Sequence, residues 1–313
     1  MNHPAIRTSR IGDKLFKALT LGMAASVIVL FLIVAAELLK GSRLAIAKFG
    51  FGFLASSHWD PVKEQFGALP FIFGTVVSSV IALVIAVPLS VGTAVFLTEF
   101  APVRLRQPIV SVVEMLAAVP SVIFGLWAIF MLVPWLRVHF FPWLQGAFGF
   151  LPLFQGPIYG VGMLSAGMVL AIMILPIVTS VSREILRSVP DLQREAAYAL
   201  GATKWEVIRI AVLSYAGRGI FGAAVLGLGR ALGETMAVTM VIGNRPAIAA
   251  SLFAPGYSLA SVIANEFTEA TTDLYLSALF EIGLVLLGVT LLANVLARLL
   301  IHTFGPAETG RVQ

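Results

Sequence analysis

The chain has 313 residues, of which 59% are hydrophobic and 12% charged, with a mean hydropathy of +0.97. A soluble domain carries about a quarter charged residues, so the solvent for most of this chain is lipid. The formal net charge of +5 therefore bears on which loops hold Lys and Arg, and does not point to nucleic acid.

Cysteine is absent, and the four histidines (His3, His58, His139, His302) are scattered without a His-x-x-x-His pair. Thiolate chemistry and disulfides are excluded, and a metal site is not expected.

In chain order, Arg7, Arg10, Lys14 and Lys17 precede an uncharged run over 18–36. The run is longer than the apolar region of a signal peptide and no clean small-x-small site follows it, so a retained first transmembrane helix is expected. A polar loop covers 40–67, and a second uncharged run, 65–98, contains Pro88. At about 1.5 Å per residue it spans a hydrocarbon core of roughly 30 Å. A short charged loop with Arg104 and Arg106 leads to a third span over 109–135, which holds Glu114 and Pro120.

Pro142, Gly146, Gly149, Pro152, Gly156 and Pro157 interrupt the next stretch, and aromatics crowd it, so 139–160 reads as an interfacial loop or half-buried helix. The fourth span covers 160–181 with Pro176, and 183–210 is polar. The fifth covers 214–242, a polar loop with Glu266 and Glu269 covers 243–272, and the sixth covers 274–296 with Glu281. No role follows for Glu114 or Glu281, and the prolines read as packing kinks or hinges.

The expected fold is an all-α integral membrane protein with six transmembrane helices. A cytoplasmic N-terminus puts Arg7, Arg10, Lys14, Lys17, Arg104, Arg106, Arg183, Arg187, Arg194, Lys204, Arg209, Arg298 and Arg311 inside. It leaves Lys40, Arg43, Lys48, Lys63, Arg137 and Arg245 outside, so the positive-inside rule favours both termini cytoplasmic. The organisation is then a tail, first span and external loop over 1–69, a core over 70–300 that includes a cytoplasmic loop at 188–210, and a tail over 301–313.

That loop has the signals of helix, glycine turn, helix. Pro190 suits a first turn, Asp191 and Glu195 lie toward the positive helix end, and Gly201 is a left-handed stop. Thr203-x-x-Glu206 is a capping box that starts a second helix. Its apolar residues (Leu192, Ala196, Ala199, Leu200) are few and small, fitting a short helix that slots into a partner's groove; a solvated connector is the alternative.

Glu195-Ala196-Ala197, followed by Gly201, resembles the EAA loop of the transmembrane subunits of ABC importers. There the loop supplies a coupling helix that docks on a cytoplasmic ATPase. The usual Leu-Pro after the second helix is Leu213-Ser214 here. The run from Gly227 to Val238 (GLGRALGETMAV) is similar to the oxyanion branch of these permeases, and in its longer form to the phosphate-specific PstC type. So are 116–127 (LAAVPSVIFGLW) and 264–269 (ANEFTE). The resemblance implies a type I importer permease in the inner membrane, paired with a related permease subunit, two ATPase subunits and an external phosphate-binding protein. ATP and Mg would be bound by the ATPase partner, and no cofactor is expected in this chain.

Arg230 and Glu234 fall within the fifth span, and a continuous helix would put them one turn apart on one face. Charges at membrane depth are costly and mark pathways by default; a structural ion pair is the alternative. Arg230 offers a permanent charge and a planar fork suited to an oxyanion. Glu234 would either orient and neutralise Arg230 or raise the barrier to the anion, and the first is preferred. Gly229-x-x-x-Gly233, with a second row of Ala223, Gly227 and Ala231, lets helices approach closely, either at a subunit seam or as generic packing.

No G-x-x-x-x-G-K-[ST] occurs, since none of the six lysines follows a glycine, so the chain is not expected to be an enzyme that hydrolyses ATP by that motif. The competing readings are a permease for sulfate or molybdate, and a secondary anion transporter. The latter would want repeated discontinuous helices, which the pattern does not clearly show. A membrane-embedded enzyme would want a grouped nucleophile and base, which is absent.

Overall fold

The computed structural model describes residues 10–304. Among them there is no strand, and six helical segments are long and apolar enough to cross a membrane.

The first, α1 (Arg10–Gly41), is nearly bare of protein contact until its end, where Gly41 meets the Phe280 ring and Leu38 meets Gly283. Two short helices follow, α2 (Arg43–Phe49) and α3 (Gly52–Ala55). The second span is α4 (Leu69–Val95), extended by a wide, π-type turn over Phe96–Phe100. Next comes α5 (Val103–Ala118).

The third span strings together α6 (Ser121–Trp127), α7 (Val133–Trp135) and α8 (Phe141–Phe148) through two further wide turns. The fourth is α9 (Met163–Arg187). The segment 188–210 holds α10 (Asp191–Ala199) and α11 (Lys204–Val207). The fifth span continues from α11 through a wide turn into α12 (Ser214–Gly233), followed by α13 (Met236–Val241). The chain ends with α14 (Leu259–Glu266) and the sixth span, α15 (Asp273–Phe304). This last helix runs past the expected boundary at 301, and the rest of the expected tail (305–313) lies outside the described residues, as does the segment 1–9.

The centre of the molecule is α9, the most enclosed span. Its partner is α4, which presents Gly74, Ser78, Ala82, Ala86, Ser90 and Ala94 at four-residue intervals, all buried. Such a row of small residues lets two backbones approach closely, which in lipid replaces the hydrophobic drive. Gly167 of α9 meets Ile81 and the Ser78 carbonyl, and Ser90 Oγ donates to the Leu175 carbonyl at 3.1 Å. Sequence reading missed this row, although its four-residue period is written in the chain.

The third span begins later than expected. The third span does not run through Pro120: α5 stops at Ala118, Val119 is extended (φ −69°, ψ 127°), and Pro120 caps α6. Pro120 is therefore a break and not a kink, and Glu114 lies on α5, 3.8 Å from Arg183 Nη2. Of the two readings of 139–160, interfacial loop or half-buried helix, the second holds as far as Phe148. Pro134 and Pro142 each fall directly after a wide turn, where the register change absorbs the missing N–H.

The loop 243–272 is also not a plain polar loop. Phe253 and Tyr257 are buried in it. Its backbone pairs with the start of α9 through Met163 N–H to the Ala254 carbonyl (3.2 Å) and Leu164 N–H to the Leu252 carbonyl (2.9 Å). Glu266 accepts from Trp59 Nε1 (2.8 Å) and the Tyr275 hydroxyl (2.5 Å), closing an aromatic cap. Glu281 is buried on α15, and its Oε2 has no hydrogen-bond partner among the described residues.

Candidate functional site

The fifth span breaks where sequence reading made it continuous. Gly233, the weakest helix former after proline, closes α12, and Glu234 is extended (φ −71°, ψ 128°) before α13 begins at Met236. The extended residue turns its side chain off the α12 face. Arg230 is exposed along the side of α12, whereas Glu234 is buried. No ion pair joins them among the described residues, so the expected one-turn pair is corrected.

The depth of the break follows from packing. Gly227 lies against Val178 and Ile174, near the middle of α9, and Arg230 is less than one turn further on. The short α13 then packs on α6, with Gly125 against the Ala237 Cα and the Met236 carbonyl. Two interrupted helices thus meet close to where each restarts. Irregular backbone at this depth is tolerated only where protein covers it or where it lines a cavity.

The segment 188–210 forms the helix, glycine turn and helix that its local signals predict. Its first helix, α10, is capped by Pro190 at the residue before the helix, one position earlier than expected. Gly201 has φ +84°, and the Gly201 N–H reaches the Tyr198 carbonyl at 2.9 Å. The capping box is formed: Thr203 N–H to Glu206 Oε2 is 2.7 Å, and Glu206 N–H to Thr203 Oγ1 is 3.4 Å. Where the Leu-Pro is missing, the wide turn over Ile208–Leu213 joins α11 to α12 without leaving helical backbone. Leu192 is 75% exposed and Leu200 90% exposed, and Glu195, Ala196 and Ala199 are also open to solvent, with Ala197 half-buried. Tyr198 and Trp205 widen this exposed patch; sequence reading did not include them.

Arg194 was missed as well. Its Nη1 donates to the Val189 carbonyl (2.6 Å) and to Asp191 Oδ1 (3.1 Å), and its Nη2 to the Leu186 carbonyl (3.0 Å) and Glu99 Oε1 (3.1 Å). Basic residues near a helix C-terminus were the only available signal; the partner Glu99 lies 95 residues away.

With six apolar spans and an exposed helical hairpin between the fourth and fifth, comparison with known proteins becomes specific. Residues 86–305 match the model of the family described as "Binding-protein-dependent transport system inner membrane component". The chain belongs to this family. It is 48% identical to the "Phosphate transport system permease protein PstC" of Mesorhizobium japonicum, over 98% of this chain and 97% of that protein. It is 47% identical to the protein of the same name from Haemophilus influenzae, over 92% of this chain and 93% of that one. With "Phosphate transport system permease protein PstC 2" of Mycobacterium tuberculosis the identity is 43%, over 94% and 93%. Among solved structures, an inward-facing conformation of the MetNI methionine ABC transporter is similar in fold. It has a TM-score of 0.52 and 18% identity, and covers 75% of this chain and 93% of that one.

As an inner membrane component of such a transport system, the permease leaves one face of α12 bare. A Cβ added at Gly222, Gly229 or Gly233 would meet nothing, and Leu226 on the same stripe is exposed. The other expected row, Ala223, Gly227 and Ala231, is buried, with Gly227 against α9. The two glycine rows therefore differ: Gly227 serves packing inside this chain, while Gly229 and Gly233 flank Arg230 on an uncovered surface.

Proposed function

We propose that this permease subunit carries inorganic phosphate across the inner membrane by alternating access, driven by ATP hydrolysed on a separate subunit. The observation that carries the reading is Arg230: a permanent cation on a bare, glycine-lined face, at mid-depth and beside a helix break. A passage for a multiply charged anion needs such a donor, and one fork binds oxyanion oxygens without trapping them. The relatives' printed names support phosphate over other oxyanions. Uptake by the assembled transporter should be blocked by excess phosphate and be indifferent to sulfate and molybdate. Competition by either of those anions at equal strength would replace phosphate as the substrate.

The bare face of α12 is the surface on which a related permease subunit would close the passage, and small residues there permit close approach. The exposed patch on α10 and α11 would seat an ATPase subunit on the cytoplasmic side, and that subunit would bind ATP and Mg. An external phosphate-binding protein would meet the opposite face, at the cap formed by 56–68 and 243–272. Both chain termini would then be cytoplasmic.

Gly201 tests the docking surface. Its surroundings are open, so a side chain meets no atom, yet its φ of +84° is strained for any L residue by about 1–3 kcal/mol. Gly201→Val should tilt α10 and cut co-purification of the ATPase subunit by about 5- to 100-fold, at about 1.4 kcal/mol per tenfold. Undiminished co-purification would remove the docking role of the turn.

A further inference from the structure

We propose that Arg194 is a positioning residue of the power stroke, linking α10 to the second span through Glu99. This rests on the reading that α10 seats the ATPase, and goes beyond it by naming the side chains through which the docked helix moves the membrane helices.

The helix α10 has no fully buried residue, and only Ala197 and Arg194 are half-buried. Its chain connections are the short stretch Ser188–Pro190 and the glycine turn at Gly201. The Arg194 guanidinium adds a polar hold that reaches three places at once. It caps the end of α9 at the carbonyls of Leu186 and Val189, bonds Asp191 within α10, and pairs with Glu99 at the end of the second span. The side chains of Arg194 and Glu99 are largely shielded, at 18% and 14% exposure, so solvent screens this pair less than an ordinary surface bridge.

A separate contact reinforces the same junction. Lys204 Nζ, on the far side of the Gly201 turn, sits 4.4 Å from the centroid of the Phe100 ring, one residue beyond Glu99. Both helices of the coupling segment therefore grip the wide turn Phe96–Phe100. That turn continues directly into α4, whose small-residue row locks it along α9. A displacement of α10 is thereby delivered to the ends of two spans together, and those two form the tightest helix pair in the chain. Arg suits this junction better than Lys, because its rigid fork serves two carbonyls and two carboxylates, one acceptor more than the three donors of an ammonium can reach.

The test uses the complete transporter in proteoliposomes, measuring phosphate moved per ATP hydrolysed alongside retention of the ATPase subunits. Arg194→Gln should lower the ratio of uptake to hydrolysis by at least about fivefold, the low end of coupling between sites, with the ATPase still bound. Glu99→Gln should lower it in the same direction while leaving the α9 cap intact. The double variant should be no worse than Arg194→Gln alone, and Arg194→Lys should fall between Gln and wild type. A merely structural role would reduce the amount of assembled complex and leave the ratio in the surviving complex unchanged. An unchanged ratio in Glu99→Gln, or in assembled Arg194→Gln, overturns the proposal. Failure of the wild-type chain to retain an ATPase subunit would instead overturn the docking reading beneath it.

Discussion

Arg230→Gln is expected to lower phosphate uptake by about 10- to 100-fold while membrane insertion and subunit assembly persist. The size follows from the loss of a charge-assisted hydrogen bond, about 1.5–3 kcal/mol, at about 1.4 kcal/mol per tenfold in rate. Assembly should survive because Arg230 is exposed on α12 and has no ion-pair partner among the described residues. Arg230→Lys should be intermediate, since it keeps the charge and loses the fork. Glu234→Gln should not reproduce the Arg230 effect, because the extended backbone at Glu234 separates the two side chains. Radiolabelled phosphate uptake in cells with matched membrane levels of each variant decides the matter. Wild-type uptake by Arg230→Gln would end the pathway role.

The second large effect concerns Gly74 and Gly92, which lie on the same helix and face opposite surroundings. A Cβ at Gly74 would overlap the backbone carbonyl of Tyr257, a rigid neighbour in the cap, whereas at Gly92 it would meet nothing. Gly74→Ala should therefore destabilise the protein by about 1–3 kcal/mol through overpacking. Gly92→Ala should be neutral or stabilising by up to about 1 kcal/mol, since alanine loses less backbone entropy in a helix. Thermal melting of the purified complex should separate the two, with only Gly74→Ala lowering the midpoint. Equal melting temperatures would remove the close approach of α4 to the cap as a source of stability.

These two expectations show what was legible at each level. Arg230 stood out in the sequence because a charge in an apolar run is visible without a structure. Its separation from Glu234 was not, because helical periodicity carries one residue onto the next turn only while the backbone stays helical. The discontinuous helices were only partly legible: Val119 precedes Pro120 and so favours an extended backbone, and Gly233 weakens the helix before Glu234, but that α6 then packs on α13 is a contact between distant segments. The glycines around Arg230 looked alike in the chain, and only burial separated Gly227 from Gly229 and Gly233.

Residue order suffices to show that lipid is the solvent, that about six spans cross it, and that Gly201 and the Thr203–Glu206 box punctuate the loop between the fourth and fifth. Composition sets the first, segment length the second, and hydrogen bonds closed within a few residues the third. Long-range packing set the contact of α13 with α6, the four-point grip of Arg194, and the pairing of α4 with α9. Each depends on groups far apart in the chain, as Glu99 is from Arg194. No local energy term selects such contacts before the helices have packed.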